Sequence, residues 1–67
     1  MIKNQVRQLR LANELTQETL AQEVEVSRQT IIALEKGNYT PSVKLALQLA
    51  SALGSTVEDL FWIESKE

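Results

Sequence analysis

Leu15-Thr16-Gln17-Glu18-Thr19-Leu20-Ala21-Gln22-Glu23-Val24-Glu25-Val26-Ser27-Arg28-Gln29-Thr30-Ile31-Ile32-Ala33-Leu34-Glu35-Lys36-Gly37 is the stretch from which the fold can be read. Thr16 is a good helix N-cap, because its hydroxyl oxygen can accept an otherwise unpaired backbone N–H of the first turn. Leu15 precedes the cap and Leu20 sits four positions after it, the spacing of a hydrophobic staple. Leu20, Ala21 and Val24 then face inward. The same grammar returns at once: Ser27 caps, Val26 precedes it and Ile31 is the staple partner. Gly37 stops the second helix, as the residue just past a helix end often must be left-handed. Only Glu25 and Val26 separate Val24 from Ser27. Two short capped helices joined so tightly must cross steeply, which is a helix-turn-helix over about 17–36.

Outward from that motif the chain stays helical. Spacings of three and four recur, and strict alternation over a full strand length is missing. A first helix is expected from about 4 to 13, with Ile2, Val6, Leu9 and Asn13 along one stripe and Arg7 and Arg10 beside it. Asn38-Tyr39-Thr40-Pro41 reads as a loop. Ser42 caps a fourth helix with Val43, Leu45, Ala46, Leu49, Ala50 and Leu53 as buried candidates, and Gly54 ends it. Thr56 with Asp59 resembles a capping box and opens a short fifth helix carrying Val57, Leu60 and Phe61. The expectation is an all-α bundle of five short helices in one domain, residues 1–67.

A chain of 67 residues buries only about 60% of the surface its unfolded form exposes, so its core is marginal. It has no Cys and no His, which removes the usual zinc ligands, heme ligation and the Ser-His-Asp and Cys-His devices. No carboxylate pair, Gly-rich phosphate loop or nucleophile–base spacing is present, so an enzyme is not expected, nor a cofactor. No uninterrupted apolar run exceeds four residues, and a membrane span needs about 20. A cytoplasmic protein is the expectation. The net charge is −2, which taken alone argues against nucleic acid. Its distribution is uneven: residues 1–44 carry six Lys/Arg and five Asp/Glu, whereas 45–67 carry one Lys and four acids. A binding face is decided locally, not by the total.

The runs Leu15 to Ala21, Val26 to Ile31 and Leu34-Glu35-Lys36-Gly37, extended by Tyr39-Thr40-Pro41-Ser42 and Leu49 to Gly54, resemble the Cro/phage-repressor (XRE-type) helix-turn-helix family over roughly residues 4–61. The resemblance implies a sequence-specific, double-stranded DNA-binding transcriptional regulator, a repressor that meets an inverted-repeat operator as a homodimer. Its third helix would lie in the major groove, with no chemistry on the DNA. It also implies a structural ion pair between Arg10 and Glu35. Short members of the family often join their chain ends in a two-stranded antiparallel element, which Met1-Ile2-Lys3 and Trp62-Ile63-Glu64 could supply here. One departure stands out: the family has Gly at the turn between helices 2 and 3, where this chain has Glu25. A left-handed non-Gly residue there costs roughly 1 kcal/mol.

Sorted by helical angle, Ile31 and Leu34 share the core face with Val26. Arg28, Gln29, Ile32, Ala33 and Lys36 form the opposite face. Arg suits guanine O6 and N7 and Gln suits adenine N6 and N7, while Ile32 and Ala33 could meet thymine methyls. Gln17 and Ser27 lie at helix starts that suit phosphate oxygens. The expected DNA-contacting set is therefore Gln17, Ser27, Arg28, Gln29, Thr30, Ile32, Ala33, Lys36 and Asn38. An ordinary solvated helix start would also account for Arg28 and Gln29. Leu60-Phe61-Trp62-Ile63 is a concentrated apolar block, expected to form a dimer interface with Leu11 beside it. Two other readings share the same residues: an antitoxin that uses this block against its toxin, or an interaction module without DNA binding. Tyr39 reads as a packed loop aromatic, and Glu58, Asp59, Glu64 and Glu67 as a solvated acidic end. Any inducing signal would act through a regulatory protein partner or on the dimer equilibrium, since nothing resembles an effector domain.

Overall fold

The computed structural model describes residues 2–64, in the order β1 (Ile2–Asn4), α1 (Val6–Ala12), α2 (Gln17–Glu23), α3 (Arg28–Glu35), α4 (Val43–Ala52), α5 (Val57–Leu60) and β2 (Phe61–Ile63). Five helices surround a core of Val6, Leu20, Ala21, Val24, Ile31, Leu34, Leu45, Leu49, Ala50, Leu53 and Leu60. The expected cap residues are in place. Thr16, Ser27, Ser42 and Thr56 each accept a backbone N–H three residues on, from Thr19, Thr30, Leu45 and Asp59.

The helix ends obey one local rule. After α3, Gly37 N–H bonds the Leu34 carbonyl and Asn38 N–H bonds that of Ala33; after α4, Gly54 bonds Ser51 and Ser55 bonds Ala50. These are Schellman closures, with the left-handed residue just past the helix end. Gly37 and Gly54 have φ of 83° and 67°. The same closures follow α1 and α2, where Leu15 N–H bonds Arg10 and Val26 N–H bonds Ala21. The left-handed residues there are Glu14 (φ 58°) and Glu25 (φ 61°). Glu25 is as the motif required, whereas Glu14 has no glycine to announce it.

Three expectations need correction. The first helix begins at Val6, not near residue 4. Asn4 belongs to β1, and its Oδ1 accepts the Val6 N–H at 3.0 Å, so it caps the helix from the strand. The terminal ribbon pairs Ile2 with Ile63, Lys3 with Trp62 and Asn4 with Phe61. It therefore includes Asn4 and Phe61, and Met1 and Glu67 lie outside the described residues. Val43 is 78% exposed and not in the core. It lies on the same edge of α4 as Leu47, four residues on, while Leu45 and Leu49 turn inward.

The ribbon strands are tied to the body. Gln5 N–H donates to the Leu60 carbonyl at 3.1 Å, and Gln5 Nε2 donates to the Asp59 carbonyl at 2.8 Å. Asn4 Nδ2 reaches the Leu34 carbonyl at 3.0 Å, anchoring β1 on the last turn of α3. Lys3 and Glu64 approach to 3.5 Å with both side chains about half exposed, a pair that contributes little in water. Among the described residues, no helix is long and apolar enough to cross a membrane.

Candidate nucleic-acid interface

α2 and α3 are joined by Val24, Glu25, Val26 and Ser27. Val24 is buried and Val26 packs against the core, so the turn is held at both ends by apolar contacts. Ile31 and Leu34 are fully buried. That fixes the roll of α3 about its axis and turns Arg28, Gln29 and Lys36 into solvent, with Ile32 and Ala33 half-buried between them. The outward face thus carries two cations and no carboxylate, although the whole chain is acidic. The carboxylate of α3, Glu35, points the other way.

Glu35 is the centre of a buried network. Arg10 Nε lies 2.6 Å from its Oε2 and Arg10 Nη2 3.4 Å from its Oε1. Arg10 Nη1 donates to the Leu15 carbonyl at 2.7 Å. Both side chains are almost wholly buried. Gln17 Nε2 donates to Glu35 Oε1 at 3.1 Å. One carboxylate therefore links α1, α2 and α3, and no buried side-chain polar atom among the described residues lacks a partner. Charges this buried are tolerated only when their hydrogen bonds are complete.

The residues expected at the interface fall into groups. Arg28 and Gln17 line one depression together with Leu11 and Thr16. Lys36 and Asn38 line another, at the far end of α3, with Lys3 and Asn4. Eight helical residues separate the two ends by about 12 Å. Ser27 Oγ accepts the Thr30 N–H at 3.2 Å and lies 3.0 Å from Thr30 Oγ1. Both hydroxyls are thus committed first to the cap. Gln17 is half-buried with one amide hydrogen on Glu35, which sequence reasoning did not foresee.

The apolar C-terminal block does not form one surface. Leu60 is fully buried inside the protomer and is corrected from interface to core. Phe61 pairs with Asn4 on the ribbon face that packs against the body, and Trp62 pairs with Lys3 on the other, because successive strand residues alternate sides. Trp62 is 45% exposed and Ile63 76%. Leu11 lies beside Arg28 and Thr16, so it joins the helix-turn-helix side and not this block.

A family model described as Helix-turn-helix matches residues 6–60. An HTH-type transcriptional regulator of Methanocaldococcus jannaschii is 50% identical over 66 residues, covering 98% of this chain and all of the relative. The Bacillus subtilis HTH-type regulator YgzD is 45% identical over 65 residues, 97% of this chain and 98% of its own length. The Vibrio cholerae cryptic phage CTXphi transcriptional repressor RstR is 32% identical over 60 residues, with 90% of this chain aligned to 54% of RstR. Among solved structures, the restriction-modification controller protein C.AhdI from Aeromonas hydrophila superposes with a TM-score of 0.75 at 35% identity, covering 81% of this chain and 82% of C.AhdI. The clp gene regulator ClgR from Corynebacterium glutamicum gives a TM-score of 0.76 at 31% identity, over 81% of this chain and 57% of ClgR. The chain belongs to the XRE-type helix-turn-helix family of DNA-binding transcriptional regulators. Within that class it is similar to small regulators of about its own length.

Proposed function

We propose that this protein is a sequence-specific repressor that binds an inverted-repeat operator as a homodimer, reading each half-site with α3 in the major groove. The observation that carries the reading is the division of α3. Ile31, Leu34 and Glu35 are committed to the body, while Arg28, Gln29 and Lys36 are free in solvent on one face. Arg28 offers a rigid fork of donors that suits guanine. Gln29 offers one donor and one acceptor that suit adenine. Half-buried Ile32 and Ala33, between Gln29 and Lys36, suit thymine methyls. Lys36 and Asn38, at the other end of the helix, suit the phosphate backbone, as do Gln17 and the Ser27 turn. The similarity to RstR, a transcriptional repressor, and to C.AhdI, a restriction-modification controller, supports repression.

A single module gains only about 600–1,000 Å² of contact with DNA, so pairing two copies is the natural route to useful affinity. The test is selection of bound sites from random duplex DNA with the purified protein. An inverted repeat with half-site centres about 10 base pairs apart is expected. Recovery of no enriched motif, with binding that is flat in salt, would remove the proposal in favour of an interaction module.

A further inference from the structure

Lys3 stands outside the set read from α2 and α3, yet the ribbon brings it to the end of α3. Asn4 fixes β1 at two points. Its Oδ1 accepts the Val6 N–H at 3.0 Å, and its Nδ2 donates to the Leu34 carbonyl at 3.0 Å. The strand is thereby held on the last turn of α3. Next to that anchor, Lys3, Lys36 and Asn38 line one depression of about 310 Å³. Residues far apart in sequence thus bring two ammonium groups and an amide to the same space. The whole chain is acidic, so this convergence runs against its average charge.

Two carboxylates lie near these cations. Glu35 borders the depression, but its oxygens are held inward by Arg10 and Gln17. Glu64 approaches Lys3 from the ribbon, with its Oε1 3.5 Å from Lys3 Nζ. Both side chains of that pair are about half exposed, and an exposed pair contributes little in water. A phosphate oxygen carries the same sign of charge as the carboxylate and can take its place on Lys3. Lys36 forms no ion pair among the described residues.

The location suits the DNA backbone and not the bases. α3 has eight residues and is about 12 Å long, and the major groove is about 12 Å wide. With the Arg28 end of α3 at the base edges, the Lys36 end comes out at the wall of the groove, where the phosphates are. β1 is anchored on that last turn, so Lys3 meets the same wall.

We propose that Lys3 is a phosphate contact: as α3 seats in the major groove, Lys3 exchanges Glu64 for a backbone phosphate beside the one held by Lys36. This rests on the DNA-reading function proposed above. Glu64 is then a built-in competitor for Lys3, and it moderates affinity for every sequence alike.

The test is a fluorescence-anisotropy titration of the full chain against its selected operator at several salt concentrations, with circular dichroism melts to verify folding. Lys3→Ala should weaken binding to the operator and to each single-base variant alike, by about tenfold at low salt, and lower the salt slope by about one unit per subunit. Lys3→Arg should keep the slope. Glu64→Gln should tighten binding about threefold, and that gain should vanish in the Lys3→Ala background, because Glu64 acts through Lys3. Duplexes carrying one uncharged methylphosphonate in place of a phosphate locate the contact. At one position per half-site the wild type should lose affinity while Lys3→Ala is indifferent, next to the position found in the same way with Lys36→Ala. A Lys3→Ala variant with unchanged affinity and slope overturns the proposal, as does one with altered base preference. So does a Glu64→Gln change that tightens Lys3→Ala as much as wild type. Each of these failures leaves the function standing. A wild type that binds no duplex in a salt-dependent way removes the function, and this contact with it.

Discussion

Replacing Arg10 with Met tests the Glu35 network. The change removes both contacts to the Glu35 carboxylate and the donor to the Leu15 carbonyl. It leaves Glu35 buried with Gln17 as its side-chain partner. Stranding a buried charge costs about 3–5 kcal/mol, and the unpaired Leu15 carbonyl adds about 1 kcal/mol. A domain of this length is worth roughly 3–10 kcal/mol in total. At about 4–8 °C per kcal/mol, the melting temperature should fall by at least ~15 °C. Arg10→Met with Glu35→Leu removes both charges and keeps the volume, so it should lie within about 2 kcal/mol of wild type. Urea melts of the wild type, each single variant and the double variant read the coupling between the two positions. Single and double variants that agree with wild type to within about 0.5 kcal/mol would refute the reasoning, because additivity of that quality belongs to groups that do not interact.

Other expectations follow from the same geometry. Arg28→Ala should relax preference at a G·C pair alone and Gln29→Ala at an A·T pair alone, each by about 1–3 kcal/mol of discrimination. Titrations of every single-base variant of a half-site at fixed salt check this, and uniform losses would make both residues phosphate contacts. Lys36→Ala should weaken binding to all sequences alike and lower the salt slope by about one unit per subunit. Gln17→Ala should also weaken all sequences alike, and should cost about 1 kcal/mol of stability through the lost bond to Glu35. Glu25→Gly and Glu14→Gly should each stabilise by up to about 0.5 kcal/mol, the relief of about 1 kcal/mol of left-handed strain less the added freedom of Gly in the unfolded chain. A loss of stability in denaturant melts would show that either side chain is held by something other than its turn.

The helices were legible because their ends are local. Thr16, Ser27, Ser42 and Thr56 each signal a start through a bond three residues away, and Gly37 and Gly54 signal ends through a φ that few other residues adopt. Glu14 escaped for the same reason in reverse: the closure after α1 has the full hydrogen-bond pattern, but no residue type marks it. Leu60 was misplaced because the period changes inside the run Leu60 to Ile63. Leu60 ends a helix and the next residue begins a strand, so four adjacent apolar residues point in different directions. Val43 was misjudged because composition cannot tell which of two apolar stripes on α4 meets the core. For the site, the outward set on α3 followed from angle alone. The tie from Gln17 to Glu35 did not, since it depends on how α2 and α3 pack.

The ribbon has one more consequence, for how the domain can be joined to other chains. Ile2 lies opposite Ile63, so the two ends leave the body about 5 Å apart. A domain with adjoining entry and exit points can be set into a surface loop of a host protein without stretching either. It can equally be closed head to tail by a short linker and reopened in the loop around Thr40, whose backbone belongs to no helix or strand. Such a permuted chain would keep α2, the turn and α3 in one uninterrupted segment. A bulky fusion at either end, by contrast, would crowd the same spot on the body, beside Lys3 and Trp62.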